Sequence, residues 1–250
     1  MKTALVLSYL GRDYHGWQRQ NNALTIQQLI EDAWLKTCGS PAYLSGCGRT
    51  DAGVHAKYYV ASTDAPTTIP LSRLPAALNA RLPEGVVIHR AVAVEDSFDA
   101  RFSCVKKEYT YLIHNGRTRD PFFTDRAWFY PQKLDVDAME RAARDFVGTQ
   151  DFAAVKNEGT PVKSTVRTIF YCHVERRGGE MIAIRVCADG FLYNMVRAIT
   201  GTLVYVGIGK IAPDGIPAIL QLRAGPTAPP CGLYMTALDY QREDLDGRAD

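Results

Sequence analysis

Thr25-Ile26-Gln27-Gln28-Leu29-Ile30-Glu31-Asp32-Ala33-Trp34 is the stretch on which the fold turns. Thr25 with Gln28 three residues on is a capping-box signature. Ile26, Leu29, Ile30, Ala33 and Trp34 follow the spacing of one buried helical face, and Gly39 suits the C-terminal cap. Before this helix, Lys2–Leu10 carries apolar residues on both faces, as a buried strand does. Gly11–Asn22 between them is a polar loop with two aromatics. After the helix, Ala42–Cys47 reads as a short strand, Gly48–Ala56 as a loop and Lys57–Thr63 as a strand. Leu71–Arg81 reads as a helix ending before Pro83, and Val86–Val94 as another strand.

A second unit begins near Val105. Glu108–Asn115 reads as a strand placing Tyr109, Tyr111 and Ile113 on one face. Gly116–Arg126 is a long basic loop. Asp135 can cap a helix lined by Val136, Met139, Ala143 and Phe146. Val166–Glu175 and Met181–Ala188 are strands around the turn Arg176-Arg177-Gly178-Gly179. Phe191–Val206 has helical spacing despite Gly201, and Ile216–Arg223 is a shorter helix. Pro226–Pro230 is a stiff loop, and Gly232–Tyr240 the last strand. Strands mixed with a few helices, without regular βα alternation, favour α+β over a doubly wound sheet.

Composition narrows the function classes. The chain has 250 residues, 46% hydrophobic and 22% charged, which fits an ordinary globular protein and excludes disordered or fibrous classes. The net charge is +2, with Asp239, Glu243, Asp244, Asp246 and Asp250 gathered at the C-terminal end. Six bases (Arg101, Lys106, Lys107, Arg117, Arg119, Arg126) face three acids between Arg101 and Arg126, a surface on which a polyanion can dock. Charge alone favours the plainer reading of these as solvated faces. The six cysteines contain no CxxC pair, so zinc and redox motifs are absent and reduced thiols in a cytoplasmic protein are expected. The N-terminus lacks the features of a signal peptide, and no apolar stretch approaches a membrane span.

The segment with most chemical content is Gly46-Cys47-Gly48-Arg49-Thr50-Asp51-Ala52-Gly53-Val54-His55-Ala56. Three glycines flank a carboxylate that stands two residues after an arginine, and such a loop can bring Asp51 close to a bulky ligand. An ordinary turn with an Asx-type hydrogen bond is the plainer reading of a generic Gly-Arg-Thr-Asp. Four other segments bear on the choice: Asp13-Tyr14-His15-Gly16-Trp17-Gln18-Arg19-Gln20, Phe98-Asp99-Ala100-Arg101-Phe102-Ser103 followed by Tyr109-Thr110-Tyr111, Phe191-Leu192-Tyr193-Asn194-Met195-Val196-Arg197, and Ala228-Pro229-Pro230-Cys231-Gly232-Leu233. In order and content the five resemble the motifs of the TruA-type tRNA pseudouridine(38–40) synthases, across nearly the whole chain. Glu108, where a basic residue is common, and Cys104, in place of a usual alanine, are small departures.

The resemblance implies two ferredoxin-like α+β units, residues 1–104 and 105–250, whose antiparallel sheets join into one sheet with outer helices and an RNA cleft between. It implies an isomerase that converts uridine to pseudouridine at positions 38, 39 and 40 of the tRNA anticodon stem-loop. No cofactor and no metal are expected, and a homodimer is. Asp51 is the essential carboxylate by resemblance, as nucleophile at the anomeric carbon or as base at the 2′ position. Either role needs it ionised, so burial must be offset by a cation, which the resemblance assigns to Arg197. By the same resemblance Tyr109 is the aromatic packed on the target uracil, against the plainer reading of a core tyrosine. Arg49 is a candidate to fill the stack when the uridine flips out. Asp13, His15, Trp17, Gln18, Arg19 and Gln20 suit RNA contact, with a core role for Trp17 open, and Arg101 and Lys107 suit phosphates.

Two other readings compete. Asp13, His15, Asp51 and His55 have spacings superficially open to a metal site for hydrolysis. An RNA-binding protein without chemistry would also use basic loops and aromatics, but simple binding needs no carboxylate at a polyanion site.

Overall fold

Helix α1 (Ile26–Cys38) starts where the sequence places it, because Thr25 is extended and its hydroxyl accepts from Gln28 N at 3.4 Å. A cap of this kind contributes about 1 kcal/mol. The next donors are met from outside the helix: Ile26 N reaches Gly16 O at 3.1 Å and Gln27 N reaches Trp17 O at 3.0 Å. At the other end Gly39, with φ 76°, closes the helix onto Leu35 O. Ile26, Ile30, Ala33 and Trp34 are buried, while Leu29 is only half-buried. Gln27 and Glu31 are buried too. Glu31, 5% exposed, accepts from Gln27 Nε2 at 2.9 Å, Leu44 N at 3.0 Å and Arg19 Nη1 at 2.9 Å. A carboxylate at this depth is tolerable because each oxygen has a donor.

The computed structural model describes residues 2–157, 162–222 and 225–248. The chain divides into two compact units, Met1–Val105 with Tyr234–Asp250, and Lys106–Leu233. The first unit contains β1 (Lys2–Tyr9), α1, β2 (Ser45–Gly46), β3 (His55–Thr63), α2 (Leu74–Asn79) and β4 (Val86–Val94). Strand β1 lies between β4 and β3, antiparallel to both, and β2 pairs antiparallel with β3 at Ala61–Ser62. This β-α-β-β-α-β order, with β1 in the interior, is the split βαβ arrangement.

The second unit contains β5 (Lys106–His114), β6 (Trp128–Phe129), α3 (Val136–Ala143), β7 (Gly148–Asp151), β8 (Val166–Arg177), β9 (Met181–Ala188), α4 (Met195–Gly207) and α5 (Ile216–Gln221). Its antiparallel ladder runs β5-β9-β8-β7, with β6 parallel to β5. Asp135 caps α3 by accepting from Ala138 N at 2.9 Å. Met139, Phe146, Ile182, Ile184, Ile199 and Leu203 fill the core. The β8–β9 turn is made by Gly178 and Gly179, both at positive φ. The last strands, β10 (Leu233–Asp239) and β11 (Gly247–Arg248), pair with each other. Residues 234–248, assigned with the second half by sequence, pack with the first unit instead. There β10 runs parallel to β3 with Tyr234 opposite His55, and their rings stack at 4.6 Å.

The other differences from the sequence reading concern the bounds of elements. Helix α4 begins at Met195, four residues later than Phe191, because Asn194 adopts a left-handed conformation (φ 60°) that no helix interior accommodates. Gly201 inside it is a packing requirement: a Cβ there would lie 1.6 Å from Pro226 O. Strand β2 is two residues rather than the six of Ala42–Cys47. The Gly116–Arg126 loop holds a short 3-10 turn at Pro121–Phe123, capped by Asp120. Arg223 and Asp250 lie outside the described residues.

The segment 98–103 is an anchored loop. Phe98 packs on Tyr240 at 5.4 Å, and the Tyr240 hydroxyl donates to Ala100 O at 2.7 Å. The Asp99 carboxylate accepts from Arg101 N at 2.8 Å, Phe102 N at 3.0 Å and Ser45 Oγ at 3.0 Å. Burial opposes the charge, but these donors prevail and hold Asp99 below the usual carboxylate range. A depressed folded pKa stabilises above the unfolded pKa and is lost as pH falls through the folded one. Asp99→Asn is therefore expected to lower stability by about 1 kcal/mol at neutral pH. The gap between variant and wild type should narrow in thermal melts as pH falls below about 4.

Candidate active site

Gly46–Ala56 is held from three sides within the first unit. Below it, Cys47 N donates to Val60 O at 2.9 Å, and the Tyr59 hydroxyl donates to Gly48 O at 2.5 Å. Beside it, the Thr50 hydroxyl pairs with the Tyr9 hydroxyl at 2.8 Å. Across it lies the 11–20 loop: Trp17 N donates to Thr50 O at 3.1 Å and Gly53 N donates to Tyr14 O at 3.3 Å. The approach is backbone against backbone. A Cβ on Gly16, whose φ is 81°, would stand 2.2 Å from Thr50 O and 3.1 Å from Asp51 C. Within the loop, Val54 N closes a turn onto Asp51 O at 3.1 Å. Asp51 is half-buried and Arg49 exposed. The carboxylate thus stands on a short segment whose backbone has little freedom.

The 13–20 residues divide. Trp17 is 2% exposed and packs between Tyr59 (4.3 Å) and Tyr9 (6.5 Å). Of its two readings the core one holds, and stacking of its indole on a base is corrected, because the ring is enclosed by its neighbours. Arg19 is exposed but tied to α1 by Glu31 at 2.9 Å and Asp32 at 3.7 Å. Its backbone N donates to Gln27 Oε1 at 2.9 Å. Asp13 pairs with Arg12 at 3.0 Å. Gln20 Nε2 donates to His15 O at 3.1 Å. His15 is exposed and Gln18 half-buried. Arg101 is exposed, its guanidinium 5.3 Å from the Phe102 ring centre, and Phe102 is 80% exposed.

Geometry weighs against grouping Asp13, His15, Asp51 and His55 as a metal site. The buried His55 ring accepts Gly11 N–H at Nδ1 (3.0 Å) and stacks on Tyr234. Among the described residues, no group of three or more His, Cys, Asp or Glu is placed to hold a metal ion. No described helix is long and apolar enough to cross a membrane.

In the second unit Tyr109, 8% exposed, meets Phe191 edge to face at 5.1 Å. Tyr111 on the same face is core: its hydroxyl donates to Pro229 O at 2.7 Å, and burial raises its pKa well above the usual phenol range. Glu108 is buried on the other face, where the Tyr171 hydroxyl donates to its carboxylate. Lys107 is half-buried. Arg197 rises from the first turn of α4, with Nε donating to Ala228 O and Nη1 to Asn194 Oδ1, both at 2.7 Å. Ala228 N returns a bond to Arg197 O at 3.0 Å. The guanidinium is therefore fixed in position and plane. Sequence reasoning missed Phe191 and Asn194 because both were read inside a helix. The signal for Asn194 was its residue type, one of the few that enters the left-handed region.

Comparison with known proteins places this geometry in a family. The family described as tRNA pseudouridine synthase matches residues 5–103 and 142–241. The tRNA pseudouridine synthase A of Thermoanaerobacter sp. (strain X514) is 44% identical over 240 residues, covering 94% of this chain and 98% of its own. Its namesake in Methylacidiphilum infernorum (isolate V4) is 45% identical, covering 94% of each. Another in Rhodopseudomonas palustris (strain BisA53) is 42% identical, covering 95% of this chain and 98% of its own. The chain belongs to the tRNA pseudouridine synthase family, enzymes that isomerise uridine in RNA.

Proposed function

We propose that this chain isomerises uridine to pseudouridine at positions 38, 39 and 40 of the tRNA anticodon stem-loop, with Asp51 as the reacting carboxylate. The C–N glycosidic bond breaks, the uracil turns, and a bond forms from the anomeric carbon to C5. The C5 hydrogen leaves as a proton while N1 gains one, so no electrons are exchanged and no cofactor enters. Asp51 attacks the anomeric carbon or removes the 2′ proton, and both routes need it ionised. Arg197 supplies the cation that keeps it so. Tyr109 packs on the flipped uracil, and Arg49 fills the stack it leaves. Asp13, His15, Gln18, Arg19, Gln20, Arg101 and Lys107 hold the RNA. Recognition rests on shape more than on base sequence.

The observation that carries this reading is the position of Asp51: it stands on a backbone locked by Gly16 and Thr50, inside the span that the family match covers. Such preorganisation is what a reacting group needs, because misplacement by about 1 Å costs about 100-fold in rate. The relatives' printed names support a tRNA substrate. A homodimer working in the cytoplasm completes the proposal.

Tritium release from tRNA labelled at uracil C5 tests it. Wild type is expected to release label, and Asp51→Ala and Asp51→Asn to release none while binding tRNA with near-normal affinity. Near-normal turnover by Asp51→Asn would sink the assignment. Tight binding without release by wild type would instead favour an RNA-binding protein without chemistry. Gly16→Ala, which forces a side chain onto the Thr50–Asp51 backbone, should lose at least 10-fold in kcat. Unchanged kcat there would show that the loop can shift without harm. Sedimentation velocity is expected to give a dimer's mass, and a monomer at working concentration would remove that part.

A further inference from the structure

Asn194 stands at the start of α4 but does not cap it. Its backbone lies in the left-handed region, φ 60° and ψ 9°, where few residues other than Gly, Asn and Asp settle. A capping asparagine is extended and turns its side-chain oxygen toward the N–H groups of the first turn, a bond worth about 0.5–2 kcal/mol, whereas the left-handed backbone of Asn194 leaves its side chain for another partner. The side chain of Asn194 makes no such bond. Its Oδ1 accepts from Arg197 Nη1 at 2.7 Å instead. The same guanidinium donates from Nε to Ala228 O at 2.7 Å. That carbonyl belongs to the 225–230 loop, which lies against α4 because Gly201 has no side chain and Gly225 N donates to Thr202 Oγ1 at 2.9 Å. One acceptor would leave the guanidinium free to swing about that bond, whereas two fix its plane.

We propose that Asn194 is a positioning residue for the isomerisation: it gives up a helix cap to set the plane of the Arg197 guanidinium. The inference rests on the reading of Arg197 as the cation that serves Asp51. A local rule broken without a local gain is expected at a working site. The two contributions of Asn194 are separable. Its left-handed backbone serves the fold, and its amide oxygen serves Arg197. Glycine provides the first without the second, while aspartate provides both.

Steady-state kinetics on tRNA, tRNA binding and thermal melting of Asn194→Gly, Asn194→Asp and Arg197→Ala test this together. Asn194→Gly is expected to melt within a few degrees of wild type and to keep its tRNA Kd and KM. Its kcat should fall about 10–100-fold. Asn194→Asp, which keeps the acceptor, is expected to regain most of that loss. Wild-type kcat in Asn194→Gly beside an inactive Arg197→Ala would overturn the role of Asn194 and leave Arg197 standing. So would a kcat loss that comes only with lower melting and weaker binding, or an Asn194→Asp no better than Asn194→Gly. A fully active Arg197→Ala would overturn the reading of Arg197 and this inference with it.

Discussion

The close approach of two backbones governs the first unit. Gly16 lies on Thr50 and Asp51 with no room for a side chain between them. The contact is sealed by Trp17 N on Thr50 O and by Gly53 N on Tyr14 O. The 11–20 loop can hold that position because its own carbonyls, at Gly16 and Trp17, receive the first donors of α1. Helix, loop and carboxylate-bearing turn thus form one hydrogen-bonded series. Backbone groups buried in loops need such partners, or they cost stability. Here the partners are other loop groups, so satisfying the backbone also places Asp51.

The second unit solves a similar problem with a helix and a loop. Gly201 admits the 225–230 loop against α4, and the loop returns a carbonyl to Arg197. Asn194 supplies the other acceptor. A long, flexible arginine side chain loses much rotamer freedom when it is held at two points. Tyr109 is treated alike, its ring set by Phe191 edge to face.

Polar burial follows the same logic elsewhere in the first unit. Glu31 gathers Arg19, Gln27 and Leu44 N around one carboxylate, so the 11–20 loop, α1 and the approach to β2 are pinned together. Removal of any partner leaves a buried charge short of a donor, which is why such networks fix a unique arrangement. Arg19 is correspondingly less mobile than its exposure suggests, and Trp17, which a polar context marked for RNA, is core.

The sequence by itself determined the pieces whose causes are local. Thr25, Gly39 and Asp135 mark helix ends through hydrogen bonds within a few residues of themselves, and α1 and α3 begin or end there. Val86–Val94 and Met181–Ala188 appear as strands at the bounds their apolar patterns predict. The five motifs carried the family, because residue types at fixed spacing survive without coordinates. Only the tertiary structure decided where long-range partners meet. It moved residues 234–248 to the first unit through a parallel pairing with β3, since strand partners far apart in sequence leave no local mark. It buried Trp17, shortened β2 and started α4 at Met195, where Asn194 gives its oxygen to an arginine rather than to the helix. The placement of β10 and the burial of Trp17 depend on neighbours distant in the chain, and packing energy outweighs local preference wherever the two disagree.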